Sequence, residues 1–349
     1  MNIDSPLKPR VNTIADVSDE ALSLFRDSLV WDDLMPWLPG VNVDGIDEIL
    51  PRFREVGVNF ISLTLSAGAG LGASISSTMH QIARVTQEIR KRGEWLVLAR
   101  SVDEIRRAQA NKKLAVNFNF QETLPFENDL KIIQVYYDLG VRQALLAYNQ
   151  RNLVGDGCAE RTDAGLSNFG VQVVKEMNRV GMLVDGSHSG YRTTMDAMEI
   201  CEAPFVFSHS NPYAVRPHYR NIKDDQIKAC AATGGVIGIN GVGFWVGDWD
   251  ASTDAIFRCL DYTVQLVGAE HVGLGFDYVH NLDGIIEAVR KAPLAWPPYK
   301  GEEMVKHNYA GSEQMVRLVQ LMLDHGYPGE AIKGILGENF AKLCERVWK

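Results

Sequence analysis

The sequence predicts an α/β protein folded as a single (β/α)8 barrel, the TIM-barrel architecture. Apolar runs of strand length alternate along the chain with amphipathic stretches of helical length. The runs are rich in Val, Ile, Leu and Phe and nearly continuous in apolar character, which is typical of parallel strands covered by helices. Eight such strand–helix units close into a barrel of about 250 residues or more. A chain of 349 residues can supply them.

Nine apolar runs are candidate strands, one more than the barrel requires. We interpret Trp95–Ala99 as a peripheral extra strand and the other eight runs as the barrel strands. These eight begin near Leu29, Val58, Ala115, Val141, Met182, Phe205, Val236 and Val272. The predicted domain spans residues 1–349, with an N-terminal extension over about 1–27 and C-terminal helices over about 311–349.

An open doubly wound sheet is the alternative architecture for alternating strands and helices. Such a sheet normally carries a glycine-rich turn after its first strand. Here the first strand is followed by Asp33-Leu34-Met35-Pro36-Trp37, which contains no glycine. The barrel is therefore the favoured prediction.

Composition and charge narrow the classes of function. Hydrophobic residues make up 46% of the chain, which excludes intrinsic disorder. The formal net charge of −9 argues against a nucleic-acid-binding protein. The N-terminus is polar and no run of 18 apolar residues is found, so we expect a cytoplasmic protein without a membrane span. The five cysteines form no CxxC pair and indicate neither a zinc ribbon nor a disulfide framework.

Two Ser-His pairs that directly follow apolar strands are the sharpest functional signal. His188 and His209 lie 21 residues apart, which leaves room for one helix and two short loops. Both imidazoles should therefore lie on adjacent strands at the same rim of the barrel. Two imidazoles at such a rim, with carboxylates from other strands, are typical of a divalent-metal site. The alternative is a pair of histidines that only form hydrogen bonds at the rim.

The chain resembles the membrane (renal) dipeptidase family of zinc peptidases, a family of amidohydrolase-type barrels. The similar segments extend from about Ser28 to Val347. They include Val30–Trp37 (VWDDLMPW), Tyr137–Arg142 (YDLGVR), Ala147–Asn152 (AYNQRN), Leu183–Ser189 (LVDGSHS), Pro204–Ser210 (PFVFSHS), Arg220–Asp225 (RNIKDD), His271–Asp277 (HVGLGFD) and Ile332–Leu343 (IKGILGENFAKL). The resemblance implies a zinc-dependent hydrolase of dipeptides and a homodimer.

The resemblance also assigns roles to individual residues. His188 and His209 match the family's histidine pair, and Asp33 matches the metal-binding Asp of its first strand. Asp277 matches the Asp that handles protons after the eighth strand. Arg220 matches an Arg that binds the substrate.

Three positions depart from the family pattern. Trp31 stands where the first-strand His is expected, Gln121 replaces the Glu that bridges two metals, and Tyr148 replaces a substrate-binding His. An indole N–H cannot ligate a metal, and Gln offers one neutral carbonyl oxygen instead of a charged carboxylate. We therefore expect one metal ion rather than two.

In this interpretation the single ion is held by the histidine pair, with Gln121 or Asp277 and a water completing the site. Zinc is the favoured metal, although manganese and iron accept the same ligands. Whether Glu122, one residue further along, replaces the bridging carboxylate stays open. Tyr148 would donate a hydrogen bond to a developing oxyanion, and Asn149 begins a polar loop predicted to contact the substrate.

The predicted function is metal-dependent hydrolysis of a small amide. The favoured substrate is a dipeptide or an N-acylated amino acid, with Asp277 accepting a proton from the attacking water. Two alternatives remain at this stage. One is an amidohydrolase acting on a non-peptide amide or lactam, and the other is a non-catalytic homologue that binds a small ligand or a partner.

Overall fold

The computed structural model describes residues 17–68, 73–298 and 307–349. The first sixteen residues of the predicted N-terminal extension lie outside this description. Among the helices that are described, none has both the length and the apolar character needed to cross a membrane.

Nine parallel strands form the sheet within the described residues. They are β1 (Trp31–Pro36), β2 (Phe60–Ser66), β3 (Leu96–Leu98), β4 (Leu114–Phe120), β5 (Val141–Leu145), β6 (Leu183–Asp185), β7 (Val206–Phe207), β8 (Val236–Ile239) and β9 (Val272–Leu274). Eight of them follow one another in the order β1-β2-β4-β5-β6-β7-β8-β9, while β3 pairs only with β4. The structure thus confirms the eight barrel strands and the peripheral extra strand.

The barrel is nearly closed where β9 returns beside β1. The amide of Asp277 donates to the carbonyl of Leu34 over 3.0 Å, and the amide of Phe276 donates to the Asp32 carboxylate over 2.8 Å. These bonds join the residues just beyond β9 to β1 without a regular strand ladder. An open doubly wound sheet has two free edges, so this arrangement excludes that alternative.

Fourteen helices within the described residues surround the barrel. They are α1 (Asp19–Arg26), α2 (Ile46–Val56), α3 (Ile75–Lys91), α4 (Val102–Ala110), α5 (Lys131–Asp138), α6 (Asn168–Val180), α7 (Tyr191–Ile200), α8 (Asp224–Ala232), α9 (Gly243–Val246), α10 (Thr253–Val267), α11 (Leu282–Lys291), α12 (Ser312–Asp324), α13 (Gly329–Lys333) and α14 (Asn339–Val347). Serine side chains cap several of them; Ser167, for example, accepts from the amide of Gly170 at the start of α6. Their apolar faces pack on the outward-facing strand residues.

The amino-terminal end of the barrel is closed by an apolar plug. The plug consists of inward-facing residues at the strand starts and residues of α14, namely Trp31, Phe60, Ala115, Leu183, Val206, Val236, Phe340, Cys344 and Val347. The rings of Trp31 and Phe60 lie 3.9 Å apart between centroids, and Trp31 stacks on Phe340 at 6.2 Å. Gly273 is required here, because a Cβ at that position would lie 2.4 Å from the Phe340 ring. Trp31 is therefore part of the structural seal and lies away from the barrel mouth.

Candidate metal centre at the barrel mouth

The two predicted histidines meet at the carboxyl-terminal mouth of the barrel. His188 follows β6 and His209 follows β7, and both side chains are buried. Their Nε2 atoms lie 3.1 Å apart. Two unprotonated ring nitrogens at that distance would turn their lone pairs toward each other and repel. A proton or a cation must therefore lie between them.

The opposite ring nitrogens are fixed by neighbouring side chains. His188 Nδ1 lies 2.7 Å from Asn149 Oδ1, and the Asn149 amide nitrogen donates to the Ala295 carbonyl over 3.0 Å. Because an amide oxygen only accepts, His188 Nδ1 carries the proton and its Nε2 keeps a lone pair. His209 Nδ1 lies 2.6 Å from Ser208 Oγ. Burial and the charge of Arg220 hold the pKa of both imidazoles well below the usual value, so both are neutral.

This geometry suits one metal ion shared by two imidazoles. Two nitrogen ligands of a tetrahedral zinc lie about 3.3 Å apart, since each Zn–N bond is about 2.0–2.1 Å long. The observed 3.1 Å is close to that spacing. The described part of the chain contains no group of three or more His, Cys, Asp or Glu side chains placed to hold a metal. The protein ligands that fit are therefore the two histidines, and the other positions would fall to water, substrate or Gln121.

Asp277 lies three residues beyond the end of β9 and is linked to His209 through Asn240. Its Oδ2 accepts a hydrogen bond from Asn240 Nδ2 over 3.2 Å, and the same amide lies 3.5 Å from the His209 carbonyl. Burial raises the pKa of Asp277 to about 7, against the lowering effects of Arg220 and Asn240. At neutral pH this carboxyl can therefore both accept and deliver a proton.

Arg220 lies beside the histidines, and two of its five N–H donors bind the protein. Its Nη2 donates to the His209 carbonyl over 2.8 Å and its Nη1 to Ser210 Oγ over 3.1 Å. The guanidinium lies over the Trp245 ring at 5.2 Å, and its buried Nε has no partner. Burial lowers the pKa of the guanidinium without neutralising it at neutral pH. The substrate-binding role that the resemblance implies for Arg220 would fall to Nε and to the N–H groups that these two bonds do not use.

Tyr148 covers the histidine pair from the opposite side. Its partly buried ring stacks on His188 with centroids 4.1 Å apart and planes 20° apart. Burial raises the pKa of its hydroxyl above the usual range, so the hydroxyl stays protonated. It remains a hydrogen-bond donor at every physiological pH.

The two candidates that follow β4 have different environments. Gln121 borders a cavity at the mouth, and its Nε2 donates to Thr64 Oγ1 over 3.2 Å. Glu122 is buried, and its Oε1 has no hydrogen-bond partner. Its other oxygen lies close to Gly68, where a Cβ would approach it to 2.7 Å. Burial raises the pKa of Glu122 to about 8, so without a cation beside it this carboxyl is mostly protonated at neutral pH.

The structure does not bring Asp33 to the histidine pair. Its Oδ1 accepts from the indole nitrogen of Trp31 over 2.8 Å, on the plug side of the barrel interior. Burial, followed by the nearby Asp185 and Asp32, raises its pKa well above the usual value. The metal role that the resemblance implies for Asp33 therefore has no support in this arrangement.

Sequence reasoning missed two contributors to the site. Asn149 was assigned to the substrate but orients His188, and Asn240, which positions Asp277, was not singled out. Asn240 directly follows β8 in the segment Ile239-Asn240-Gly241. The inspection of strand ends that found the histidines would have found Asn240 as well.

Within the described residues, two cavities border the site. An apolar cavity of about 40 Å³ is lined by Pro36, Leu38, Val41, Ala67, Gln121, Tyr148, Trp245, Asp277, Val279, Ile285, Val289, Trp296 and Tyr309. A polar cavity of about 200 Å³ borders His188 and Arg220 on the other side. Its wall also contains Cys158, Tyr219 and Lys223. A substrate bound at the histidines would thus lie beside one apolar cavity and one polar cavity.

Comparison with known proteins identifies the family to which the chain belongs. Residues 39–294 match the model of the membrane dipeptidase family, peptidase family M19. An uncharacterized dipeptidase of Schizosaccharomyces pombe is 34% identical over 204 residues, which are 55% of this chain and 48% of that protein. A dipeptidase of Claviceps purpurea is 27% identical over 280 residues, or 79% of this chain and 61% of that protein. The chain thus spans about half to two thirds of the length of these two relatives.

Solved structures show the same fold. An amidohydrolase from Pseudomonas aeruginosa superposes with a TM-score of 0.83 at 26% identity, covering 94% of this chain and 99% of that one. A metallopeptidase from Rhodobacter sphaeroides, solved with a phosphinate mimic of the dipeptide L-Ala-D-Ala, gives a TM-score of 0.76 at 19% identity. It covers 92% of this chain and 100% of that one. The family model matches more than half of the sequence, so the chain belongs to the membrane dipeptidase family, peptidase family M19.

Proposed function

We propose that this protein is a metal-dependent hydrolase of small amides, with dipeptides and N-acylated amino acids as the first substrates to test. The observation that carries the proposal is the 3.1 Å separation of the two Nε2 atoms at the mouth of a barrel of this family. His188 Nε2 keeps a lone pair, and the tautomer of His209 protonated at Nδ1, toward Ser208 Oγ, turns a second lone pair to the same point, which suits a single shared cation. Relatives named as dipeptidases support the choice of substrates.

The side chains around the pair fit amide hydrolysis. A bound divalent ion would supply Lewis-acid polarisation of a carbonyl and make water more acidic. Asp277 would take a proton from the attacking water and pass it to the leaving amine, because its pKa of about 7 allows both transfers. The Tyr148 hydroxyl would donate to the oxygen that gains negative charge. Arg220 holds the His209 backbone, and its Nε has no partner in the protein.

The first experiment measures metal content and activity together. Purified protein would be stripped with a chelator, reloaded separately with zinc and manganese, and assayed against dipeptides and N-acylated amino acids. We expect about one tightly held ion per chain and activity that the chelator abolishes. Two ions would contradict the ligand count, whereas no uptake by a folded protein would favour a non-catalytic binding homologue.

Substitutions then assign the site. His209→Ala should lose the ion and the activity while remaining folded, and the exposed His80→Ala serves as the matched control. Asp277→Asn should keep the ion but lower kcat by about 10² to 10⁴. Asn suits this test because Asp277 has φ +57°, a region that Asn tolerates well. Unchanged kcat in Asp277→Asn would remove Asp277 from the mechanism.

A further inference from the structure

The apolar cavity has a composition that restricts what it can bind. Two of its walls are the stacked rings of Trp245 and Trp296, with centroids 5.9 Å apart. Aliphatic side chains from β9 onward, including Val279, Ile285 and Val289, form much of the remainder. The cavity adjoins the proposed site, because Tyr148 and Asp277 line it and both Trp rings pack edge-on against His188 at about 6 Å.

The side chains that line the cavity also restrict which charged groups can bind there. Among the described residues that line it, the polar side chains beyond the aromatic rings are Gln121 and Asp277, and no Lys, Arg or His is present. Arg220 borders the polar cavity instead. A carboxylate placed in the apolar cavity would lose its water and find no cation, which is strongly unfavourable.

The volume of the cavity indicates the size of the group that fills it. A single water requires roughly 10–15 Å³ on the same measure. The observed volume of about 40 Å³ therefore holds about three waters or three to four carbon atoms. That is the size of an isopropyl or isobutyl group.

We propose that this cavity binds an uncharged, short branched alkyl group of the substrate, next to the scissile amide. The polar cavity beside His188 and Arg220 is then left for the polar part of the substrate. This inference rests on the proposed function only in placing the amide at the histidine pair. The alkyl preference itself can be measured by binding alone, without turnover.

The test uses three small amides of similar length as probes. Isovaleramide carries a branched alkyl end, succinamate an anionic end and 3-aminopropanamide a cationic end. Binding would be followed on the metal-loaded protein by NMR of the indole N–H signals of Trp245 and Trp296. Each buried methylene contributes about fourfold in affinity, so we expect isovaleramide to bind at least about tenfold more tightly than either charged probe.

A change in cavity size provides the second readout. Ile285→Ala should weaken isovaleramide binding several-fold and shift the preference toward the longer 4-methylpentanamide, an effect that simple loss of folding does not produce. Leu282→Ala is the matched control, because Leu282 lies on the same helix but does not line the cavity.

Each outcome separates the two proposals. Tighter binding of succinamate or 3-aminopropanamide would overturn the alkyl assignment and identify an anion or ammonium site. An unchanged chain-length preference in Ile285→Ala would also overturn it. Alkyl-selective binding without any amide hydrolysis would support the cavity assignment while contradicting the proposed function.

Discussion

The two ends of the barrel are built from the same strands but have opposite chemistry. At the amino-terminal end, Trp31, Phe60 and Phe340 form an apolar seal without exposed surface. At the carboxyl-terminal end, His188 and His209 face each other among buried polar partners. In barrels of this type the loops that follow the strands carry the chemistry, while the opposite face contributes stability.

This contrast teaches that burial has different consequences at the two ends. In the plug, burial of aromatic rings stabilises the fold directly through the hydrophobic effect. At the mouth, burial acts on titratable groups and raises the pKa of Asp277 to about 7 and that of Glu122 to about 8. The mouth therefore keeps reactive groups in states that cost stability, and the plug offsets that cost.

The largest expected effect comes from the plug. Phe340→Ala should lower the free energy of unfolding by about 3–5 kcal/mol, because it removes a fully buried ring and leaves a cavity. Urea denaturation measures this change, and the activity per folded molecule should stay close to wild type. The mouth variant His209→Ala should instead lose activity with a smaller change in the free energy of unfolding. A Phe340→Ala protein of normal stability but low kcat would break the proposed division between the two ends.

A smaller effect is expected from the residue that orients His188. Asn149→Gly removes the acceptor of His188 Nδ1 while tolerating the φ of +60° at this position. We expect metal affinity to fall by about 10- to 100-fold, measured by competition with a chelator. Asn149→Asp keeps an acceptor and should restore most of the affinity. Equal affinity in the Gly variant would show that this hydrogen bond does not support metal binding.

The smallest effect concerns the pH dependence of stability. The pKa of Glu122 is raised from 4.5 to about 8, so the folded protein binds a proton that the unfolded chain has lost. Stability from this group is fully present below pH 4.5 and is lost as pH rises through about 8. Between pH 6.5 and 8 it should fall by about 1–2 kcal/mol more in wild type than in Glu122→Gln.

Urea denaturation at both pH values provides the measurement for this last prediction. The window begins at pH 6.5 because the buried histidines, with lowered pKa values, destabilise the fold below their unfolded pKa. Glu94→Gln, at an exposed position, is the control and should leave the slope unchanged. An identical slope in wild type and Glu122→Gln would mean that Glu122 is charged in the folded protein.

Much of the site could be predicted because it follows from strand order. The two histidines directly follow neighbouring parallel strands, and the carboxyl ends of such strands meet at one rim. Asp277 and Tyr148 follow strands in the same way and border one cavity. Asp33 accepts a hydrogen bond from Trp31, and the irregular register of β1 between Asp32 and Met35 cannot be predicted from alternation along a regular strand.

Other contacts depend on segments that are distant in the chain. Trp31 lies in the seal because α14, more than three hundred residues later in the sequence, packs across the barrel end. One donor of Arg220, Nη2, is occupied because its loop folds back onto the backbone of His209. Neither contact leaves a periodic or motif signal in the sequence.

The sequence by itself determined the barrel, the extra strand and the position of the histidine pair, because apolar periodicity and strand order are local properties of the chain. The tertiary structure alone decided which carboxyls accompany the pair, which donors of Arg220 are used and how the mouth divides into an apolar and a polar cavity. Those features arise from side chains of many elements meeting in a low-dielectric interior. Their pKa values and hydrogen bonds exist only after the chain has folded.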